Sequence, residues 1–449
     1  MDRLSDKAAA IAPRSGRTLL ASFLPLLAVV ILSLALQLAF KPWLEHLGAD
    51  FTLKMLVDIG INIVLAVSLT IVNGYTGQFS LGHAAFMMVG AYLAASITYY
   101  ASFRLYGDAN VHGGLISTML SQQAVPLATG ADLLFIAAIL AGGLFAALCG
   151  FVVGLPSLRL RGDYLAIVTL GFGEIVRVLV QAKTTDALYD PEQIAQTPWW
   201  EWPRYVGGPI GFSGLPFYNS LFWAYLLVGC TLLVAFRLKE STYGRAFLSI
   251  REDEIAAEAM GVNTTRYKVR AFVISAFFAG CAGGLFAHTV GVQLNPGELG
   301  FQKSFDIIIM VVLGGLGSIS GASIAAVILT ILPEALRNPV MLADGWWIGL
   351  GLLVIGLALR YVLRRYTLSR RFGILLIVIG TAILALAIIA RVAIARQIDL
   401  TQYRMVLYAL ALILMMILRP QGIMGVRELW DRLFWRAPAE ADDDKGVPA

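Results

Sequence analysis

Two pairs of polar residues interrupt the long apolar runs of this 449-residue sequence, and each pair has the spacing of neighbours on one helix face. Asp58 and Asn62 are four residues apart, and we expect them to face other helices or a water-filled path because contact between aspartate and lipid is costly. Glu174 and Arg177 are three residues apart and can form an ion pair within one helix. That pair serves either structure or a transport pathway, and the sequence leaves both roles open.

Glycine-rich segments supply the second group of candidates, at 73–82, 171–173 and 314–321. Irregular backbone at membrane depth is tolerated only where it is buried in protein or lines a cavity. We therefore predict a pathway-lining break at 73–82 and leave both packing and pathway open for 314–321. The candidate pathway residues in these segments are Asn73, Gly74, Gly77, Ser80, Gly82, His83, Gly314 and Gly315.

Four single residues carry narrower predictions. Gly150 and Gly154 have the small-x-x-x-small spacing that lets two helices pack closely. His83 follows a glycine-rich turn, and we expect it to hydrogen-bond that irregular backbone rather than to titrate. Asp306 is expected to be a carboxylate in the first turn of a helix, where the helix dipole favours it.

Motifs of soluble catalysis are missing from the sequence. It contains no G-x-x-x-x-G-K-[ST] phosphate loop and no H-E-x-x-H, and its four histidines lack the spacing of metal ligands. The three cysteines each lie inside an apolar segment, where we interpret them as small buried residues. We expect no enzymatic activity, cofactor or metal in this chain.

The amino-acid composition indicates that these candidate residues are held within a membrane protein. Hydrophobic residues make up 58% of the chain, charged residues only 14%, and the mean hydropathy is +0.76. A soluble enzyme, a nucleic-acid binder and a disordered scaffold are therefore excluded. The sequence predicts an all-α polytopic membrane protein with a transmembrane domain over 19–418, between tails at 1–18 and 419–449.

Twelve membrane segments are predicted. Ten are apolar runs long enough to approach a full crossing: 19–40, 55–72, 83–99, 132–154, 163–180, 217–236, 271–290, 345–359, 372–390 and 404–418. The nearly uncharged stretch 304–336 is too long for one untilted helix, so we divide it into two shortened helices that meet at its glycines. Basic residues then place both termini and the 237–270 loop in the cytoplasm and 181–216 outside, although Arg391 and Arg396 fit this topology poorly.

The 237–270 loop carries seven basic residues between two apolar segments. We predict a short helix from Ser249 to Met260, with Ile250, Ala257 and Met260 on one face and Gly261 as its left-handed cap. Such a helix is either a solvated connector or a docking element for a cytosolic partner.

Five motifs together resemble the LivM-type permeases of branched-chain amino acid ABC importers, in the order found in that family. They are NGYTGQFSLGHAAF (73–86), PSLRLRGDYLAIVTLGFGEIVR (156–177), GRAFLSIREDEIAAEAMGV (244–262), VVLGGLGSISG (311–321) and LRPQGIMG (418–425). The loop departs from the family's coupling motif at Ile255, where glutamate is usual. The segment 337–402 is longer than the family pattern and adds a hairpin.

The resemblance implies a type II ABC importer-like core of ten segments plus the extra hairpin, in the inner membrane. It implies a LivH-type second permease, a periplasmic amino-acid-binding protein and two ATP-binding cassette subunits that hold ATP and Mg²⁺. The residues expected to couple this chain to the ATPase are Gly244, Arg245, Arg251, Asp253, Glu254, Ala256, Ala257, Glu258 and Gly261.

The predicted function is import of leucine, isoleucine, valine or related amino acids by alternating access. A similar importer that carries urea or short-chain amides is the nearer alternative. An ion-coupled secondary transporter is the more distant one, because we find no clear half-to-half repeat in the sequence.

Overall fold

The computed structural model describes residues 19–42, 50–117, 126–158, 164–183, 185–218, 220–289 and 293–337, with isolated residues between 350 and 428. The predicted hairpin of 337–402, the segment 404–418 and both tails therefore lie largely or wholly outside the described residues. The helices are α1 (Leu19–Ala35), α2 (Asp50–Leu69), α3 (His83–Tyr106), α4 (Gly130–Ser157), α5 (Tyr164–Lys183), α6 (Pro191–Gln196), α7 (Leu221–Glu240), α8 (Thr242–Glu252), α9 (Glu254–Ala259), α10 (Thr264–Ala287), α11 (Phe301–Gly314) and α12 (Ile319–Arg337). Turns of π-helix extend α1 over Leu36–Phe40 and α2 over Thr70–Tyr75.

Helices long and apolar enough to cross a membrane number six in the part of the chain that the structure describes. They are Leu53–Tyr75, His83–Tyr106, Gly130–Ser157, Tyr164–Ala182, Leu221–Glu240 and Thr264–Ala287, and shorter apolar helices cover Leu24–Phe40 and Ile319–Glu334. The prediction of an all-α, multi-pass membrane protein is confirmed. The total of twelve segments stays a prediction.

Small residues let the central helices approach until their backbones touch. A Cβ added at Gly90 of α3 would lie 2.2 Å from the carbonyl oxygen of Gly280 on α10. On α4, a Cβ at Gly150 would lie 2.7 Å from Ala276, and one at Gly154 would lie 3.1 Å from Phe272. The packing role expected for Gly150 and Gly154 is thus observed, because lipid supplies little driving force and close contact holds such helices together.

The stretch 304–336 forms two helices, as predicted. The short α11 ends at Gly314, and α12 begins at Ile319 after a turn in which Gly315 and Gly317 have φ of +110° and +96°. Residues 422–425 pack into this turn, where the amides of Ile423 and Met424 donate to the carbonyls of Leu313 (2.7 Å) and Gly314 (3.1 Å). The segment 314–321 is thus closely packed, and a role for it in a pathway stays a prediction.

The connections gather at two opposite ends of the bundle. At one end, β1 (Phe212–Ser213) pairs antiparallel with β2 (Gln293–Leu294). At the other end, the 73–77 turn and the 314–318 turn contact the helix α8, which α9 follows. The long α10 runs between the two ends, from α9 to the segment that holds β2.

We predict that Gly90→Ala destabilises the protein. Its methyl group would overlap the backbone of Gly280, and overpacking of this kind costs about 1–3 kcal/mol. The matched control is Gly171→Ala, because Gly171 lies inside α5 and a Cβ there meets nothing within 4 Å. Thermal unfolding of the detergent-solubilised protein should show a lower midpoint for Gly90→Ala than for Gly171→Ala. Equal midpoints would contradict the backbone contact.

Candidate functional site

The 237–270 loop contains two helices where the sequence predicts one from Ser249 to Met260. Asp253 lies between them in an extended conformation (φ −157°), and its carboxylate accepts hydrogen bonds from the amides of Ile255 (2.9 Å) and Ala256 (3.0 Å). An aspartate in this position starts a new helix, because it satisfies amides that would otherwise lack partners. The single-helix prediction is wrong for this reason.

The tip of the loop carries apolar side chains that are exposed on the protein surface. Gly261 has φ of +84° and is the predicted left-handed cap, with the amide of Val262 donating to the carbonyl of Ala257 at 3.0 Å. Met260 is 85% exposed and Ile255 is 67% exposed. The sequence predicts Ile250, Ala257 and Met260 on one face. In the structure Ile250 and Ala257 are buried and Met260 is exposed, so the three do not share a face.

The opposite side of the loop is attached to the transmembrane helices. Lys268 of α10 pairs with Glu254 at 2.6 Å, and the hydroxyl of Thr264 donates to Glu258 at 2.7 Å. Gly244 packs against the backbone where α7 ends, since a Cβ there would lie 2.3 Å from the carbonyl oxygens of residues 238 and 239. Ala257 is buried, whereas the remaining coupling candidates Arg245, Asp253 and Ala256 are exposed. The loop is thus fixed to α7 and α10 on one side and open on the other.

Arg251 connects this loop to both glycine-rich turns. Its guanidinium donates to the carbonyl of Gly74 at 3.1 Å, and its side chain is so close to Gly77 and Gly317 that a Cβ on either glycine would lie 2.9 Å from it. Gly74 and Gly317 also touch, because a Cβ on Gly74 would lie 2.6 Å from the amide nitrogen of Gly317. We name Gly74, Gly77, Arg251 and Gly317 the glycine–arginine junction.

Glu428, close to the C-terminal end of the sequence, binds residues next to the junction. This carboxylate accepts from the amides of Ile319 (3.1 Å) and Ser320 (3.0 Å) at the start of α12, and it pairs with Lys239 of α7 at 2.5 Å. Burial by itself raises the pKa of Glu428, but the hydrogen bonds outweigh that effect and hold the pKa below its ordinary value. Its stabilising contribution is therefore present above the ordinary pKa and is lost as the pH falls through the lowered one.

Sequence reasoning missed Glu428 and Lys239. The only local signal for them is the family motif at 418–425, which stops three residues before Glu428. Glu428 lies 109 residues from Ile319 and 189 residues from Lys239 in the chain, so no local pattern reveals these contacts.

The 73–82 segment is packed against its neighbours. The amide of Ser80 donates to Asn73 Oδ1 at 3.3 Å, and a Cβ on Gly82 would lie 2.5 Å from the carbonyl oxygen of Thr169. His83 is 2% exposed, and its Nε2 lies 2.9 Å from Ser68 Oγ. The histidine thus contacts a side chain rather than the irregular backbone. A role for 73–82 in a pathway stays a prediction.

Glu174 and Arg177 form the predicted pair within α5. The Arg177 Nε donates to Glu174 Oε2 at 2.8 Å, and its second guanidinium nitrogen reaches Gln181 at 3.1 Å. Both charged side chains are partly exposed, at 39% for Glu174 and 30% for Arg177. The pair lies on a helix whose outward face carries exposed apolar residues, among them Ile167 and Ile175. Whether it serves structure or pathway stays open.

Asp58 and Asn62 line a cavity of about 380 Å³ among α2, α10, α11 and α12. Lys303 and Asp306 of α11 line the same cavity. Sequence analysis missed Lys303, and it placed Asp306 at a different point of its helix. Asp306 is the sixth residue of α11 rather than part of its first turn, because the helix begins at Phe301. Lys303 Nζ donates to Asn62 Oδ1 at 3.1 Å.

Comparison with known proteins agrees with this architecture. The family model described as "Branched-chain amino acid transport system / permease component" matches residues 51–359. The high-affinity branched-chain amino acid transport system permease protein LivM of Escherichia coli is 37% identical over 294 residues, and that of Salmonella typhimurium is 36% identical over 295 residues. Each match covers 62% of this chain and 62% of the relative, so the chain spans less than two thirds of either relative.

A second type of permease also matches. The high-affinity permease protein LivH of Escherichia coli is 36% identical over 134 residues, which cover 30% of this chain and 42% of LivH. No solved structure matches the chain. Because the family model covers more than half of the sequence, the chain belongs to the family of branched-chain amino acid transport system permease components.

Proposed function

We propose that this chain is a membrane permease subunit of an ATP-driven importer for leucine, isoleucine, valine or related amino acids. The importer lies in the inner membrane and contains a LivH-type second permease, two ATP-binding cassette subunits and a periplasmic amino-acid-binding protein. ATP and Mg²⁺ bind the cassette subunits, and this chain holds no cofactor. The observation that supports the proposal most strongly is Arg251, which joins an exposed cytoplasmic loop to two breaks in the transmembrane backbone.

Transport requires that a movement of the cassettes reaches the membrane helices. The exposed Ile255 and Met260 offer the cassette an apolar contact, while Glu254 and Lys268 fix the same loop to α10. When the cassettes close on ATP, they displace α8 and α9, and Arg251 transmits that displacement to the three glycines of the glycine–arginine junction. Since α2 and α11 end at this junction and α12 begins there, all three helices tilt together and expose the path alternately to each side.

The substrate and the energy source can be tested in one assay. In proteoliposomes that contain the whole importer and its binding protein, labelled leucine should accumulate with ATP, and excess valine, but not excess urea, should reduce its uptake. A cassette variant that cannot hydrolyse ATP should abolish uptake, and an ionophore should leave it unchanged. Competition by urea would favour the urea or amide importer. Uptake that survives the inactive cassette and collapses with the ionophore would favour an ion-coupled carrier.

Arg251→Ala should uncouple ATP hydrolysis from transport. The side chain is only 22% exposed and points at Gly74, Gly77 and Gly317, so its loss should leave cassette binding intact. We expect leucine uptake to fall about tenfold, as for loss of about 1.4 kcal/mol of charge-assisted hydrogen bonding, while ATP hydrolysis persists. Uptake and ATPase activity should be measured on the same purified complex.

The matched control is Glu252→Gln, which removes the ion pair with Arg251 but keeps the bond from Arg251 to Gly74. Its uptake should stay near that of the unmodified protein. A coupled loss of cassette binding and ATPase activity in Arg251→Ala would show that Arg251 belongs to the docking surface instead.

The proposed orientation predicts which sites an impermeant thiol reagent reaches. In a chain whose three native cysteines are replaced, Ala195→Cys in α6 should react in intact cells because this exposed residue lies outside. Met260→Cys, at the exposed tip of the loop, should react only after the cells are opened. Labelling of Met260→Cys from outside would reverse the orientation.

A further inference from the structure

The cavity among α2, α10, α11 and α12 brings side chains of both charges together beside an apolar wall. Its charged members are Asp58, Lys303 and Asp306, and its uncharged polar members are Asn62 and Thr330. A charged group inside a membrane protein is costly unless it is paired or functional. The arrangement of these charges therefore indicates what the cavity binds.

Lys303 is held in place but keeps bonding capacity. Its Nζ donates to Asn62 Oδ1 at 3.1 Å and lies 5.9 Å from the ring of Phe286, and Asn62 is fixed in turn by its own bond to Thr330 at 2.9 Å. An ammonium group has three donors, and one of them is used by Asn62. A carboxylate in the cavity can therefore accept a charge-assisted hydrogen bond from Lys303.

The two carboxylates are the complementary half of the site. Within the residues that the structure describes, neither Asp58 nor Asp306 accepts a hydrogen bond or lies within 4.0 Å of a cationic group. The nearby Pro333 has no N–H, so the carbonyl of Leu329 lacks its usual helical donor. Leu329 and Pro333 both line the cavity, as do the two carboxylates. An ammonium group is the ligand group that uses such acceptors.

The remaining wall is apolar and the volume is limited. Ile61, Phe286, Met310 and Leu329 line it. The volume of about 380 Å³ lies near the lower end of the range of about 300–1,000 Å³ for small-molecule pockets. An inorganic cation would gain nothing from this wall and would be repelled by Lys303, and urea would leave all three charges without partners.

We propose that this cavity is a binding site for a zwitterionic α-amino acid with an aliphatic side chain, with its carboxylate on Lys303, its ammonium group between Asp58 and Asp306, and its side chain on the apolar wall. This assignment rests on the proposed function, and it gives the permease a substrate site of its own, separate from the binding protein.

The first test needs no variant. The permease complex in lipid nanodiscs, without the binding protein, should bind labelled L-leucine in a scintillation proximity assay. Valine should compete. Isoamylamine, which lacks the carboxylate, and isocaproate, which lacks the ammonium group, should compete at least about tenfold more weakly, which corresponds to about 1.4 kcal/mol. Equal competition by isoamylamine would overturn the role of Lys303, and absence of leucine binding would overturn the site.

The second test compares Lys303→Met with Lys54→Met. Lys54 is exposed on α2 and does not line the cavity, yet its replacement by methionine also removes one positive charge that acts on Asp58. The Kd for leucine should rise about tenfold or more in Lys303→Met and less than about twofold in Lys54→Met. Lys303→Met that imports leucine with unchanged kinetics would overturn this site and leave the proposed function standing. Failure of the unmodified importer to carry leucine would overturn the function itself.

Discussion

Backbone amides and carbonyls inside a bilayer find no water, so a transmembrane helix can be interrupted only where other protein groups meet its freed polar atoms. This constraint shapes the end of the molecule that holds α8 and α9. The breaks at Gly74 and Gly317 lie directly against each other, Arg251 donates into one of them, and the segment 422–425 fills the turn beside the other. The polar backbone atoms freed at each break are thus covered by the other break, by Arg251 or by residues 422–425. The result is a region in which these segments pack directly on one another.

These contacts provide a route by which the 237–270 loop can affect the positions of the long helices. The two faces of α8 and α9 are chemically different: one bears exposed apolar residues such as Met260, and the other holds ion pairs such as Glu254 with Lys268. In the proposed function, a cassette subunit binds the first face while the second face remains attached to α10. The cavity around Lys303 lies between α2 and the pair α11 and α12, the same helices that end or begin at the breaks. In the proposed function, movement at the junction reaches the cavity through these shared helices.

Local patterns in the sequence predicted the features that depend on neighbours along the chain. These include the Glu174–Arg177 pair, the cap at Gly261, close packing at Gly150 and the two short helices of 304–336. The split at Asp253 was missed because an aspartate amid helix formers has the same appearance as a charge on a helix surface. The cavity was only half anticipated, since tertiary packing brings Asp58 and Lys303, more than 200 residues apart, to the wall of one cavity. The predicted hairpin of 337–402 lies outside the described residues.

The carboxylate at Glu428 also imposes an order on biosynthesis. The amide of Ile319 that it caps is made 109 residues earlier, and at about 5–20 residues per second this interval lasts on the order of 5–20 s. During that time α12 can enter the bilayer, but its first turn and the adjoining glycines wait for their last partner to leave the ribosome. The machinery that links the loop to the helices is therefore the last part of this region to be completed. A nascent or shortened chain can therefore be inserted in the membrane and still lack the contacts of Glu428 with Ile319 and Lys239.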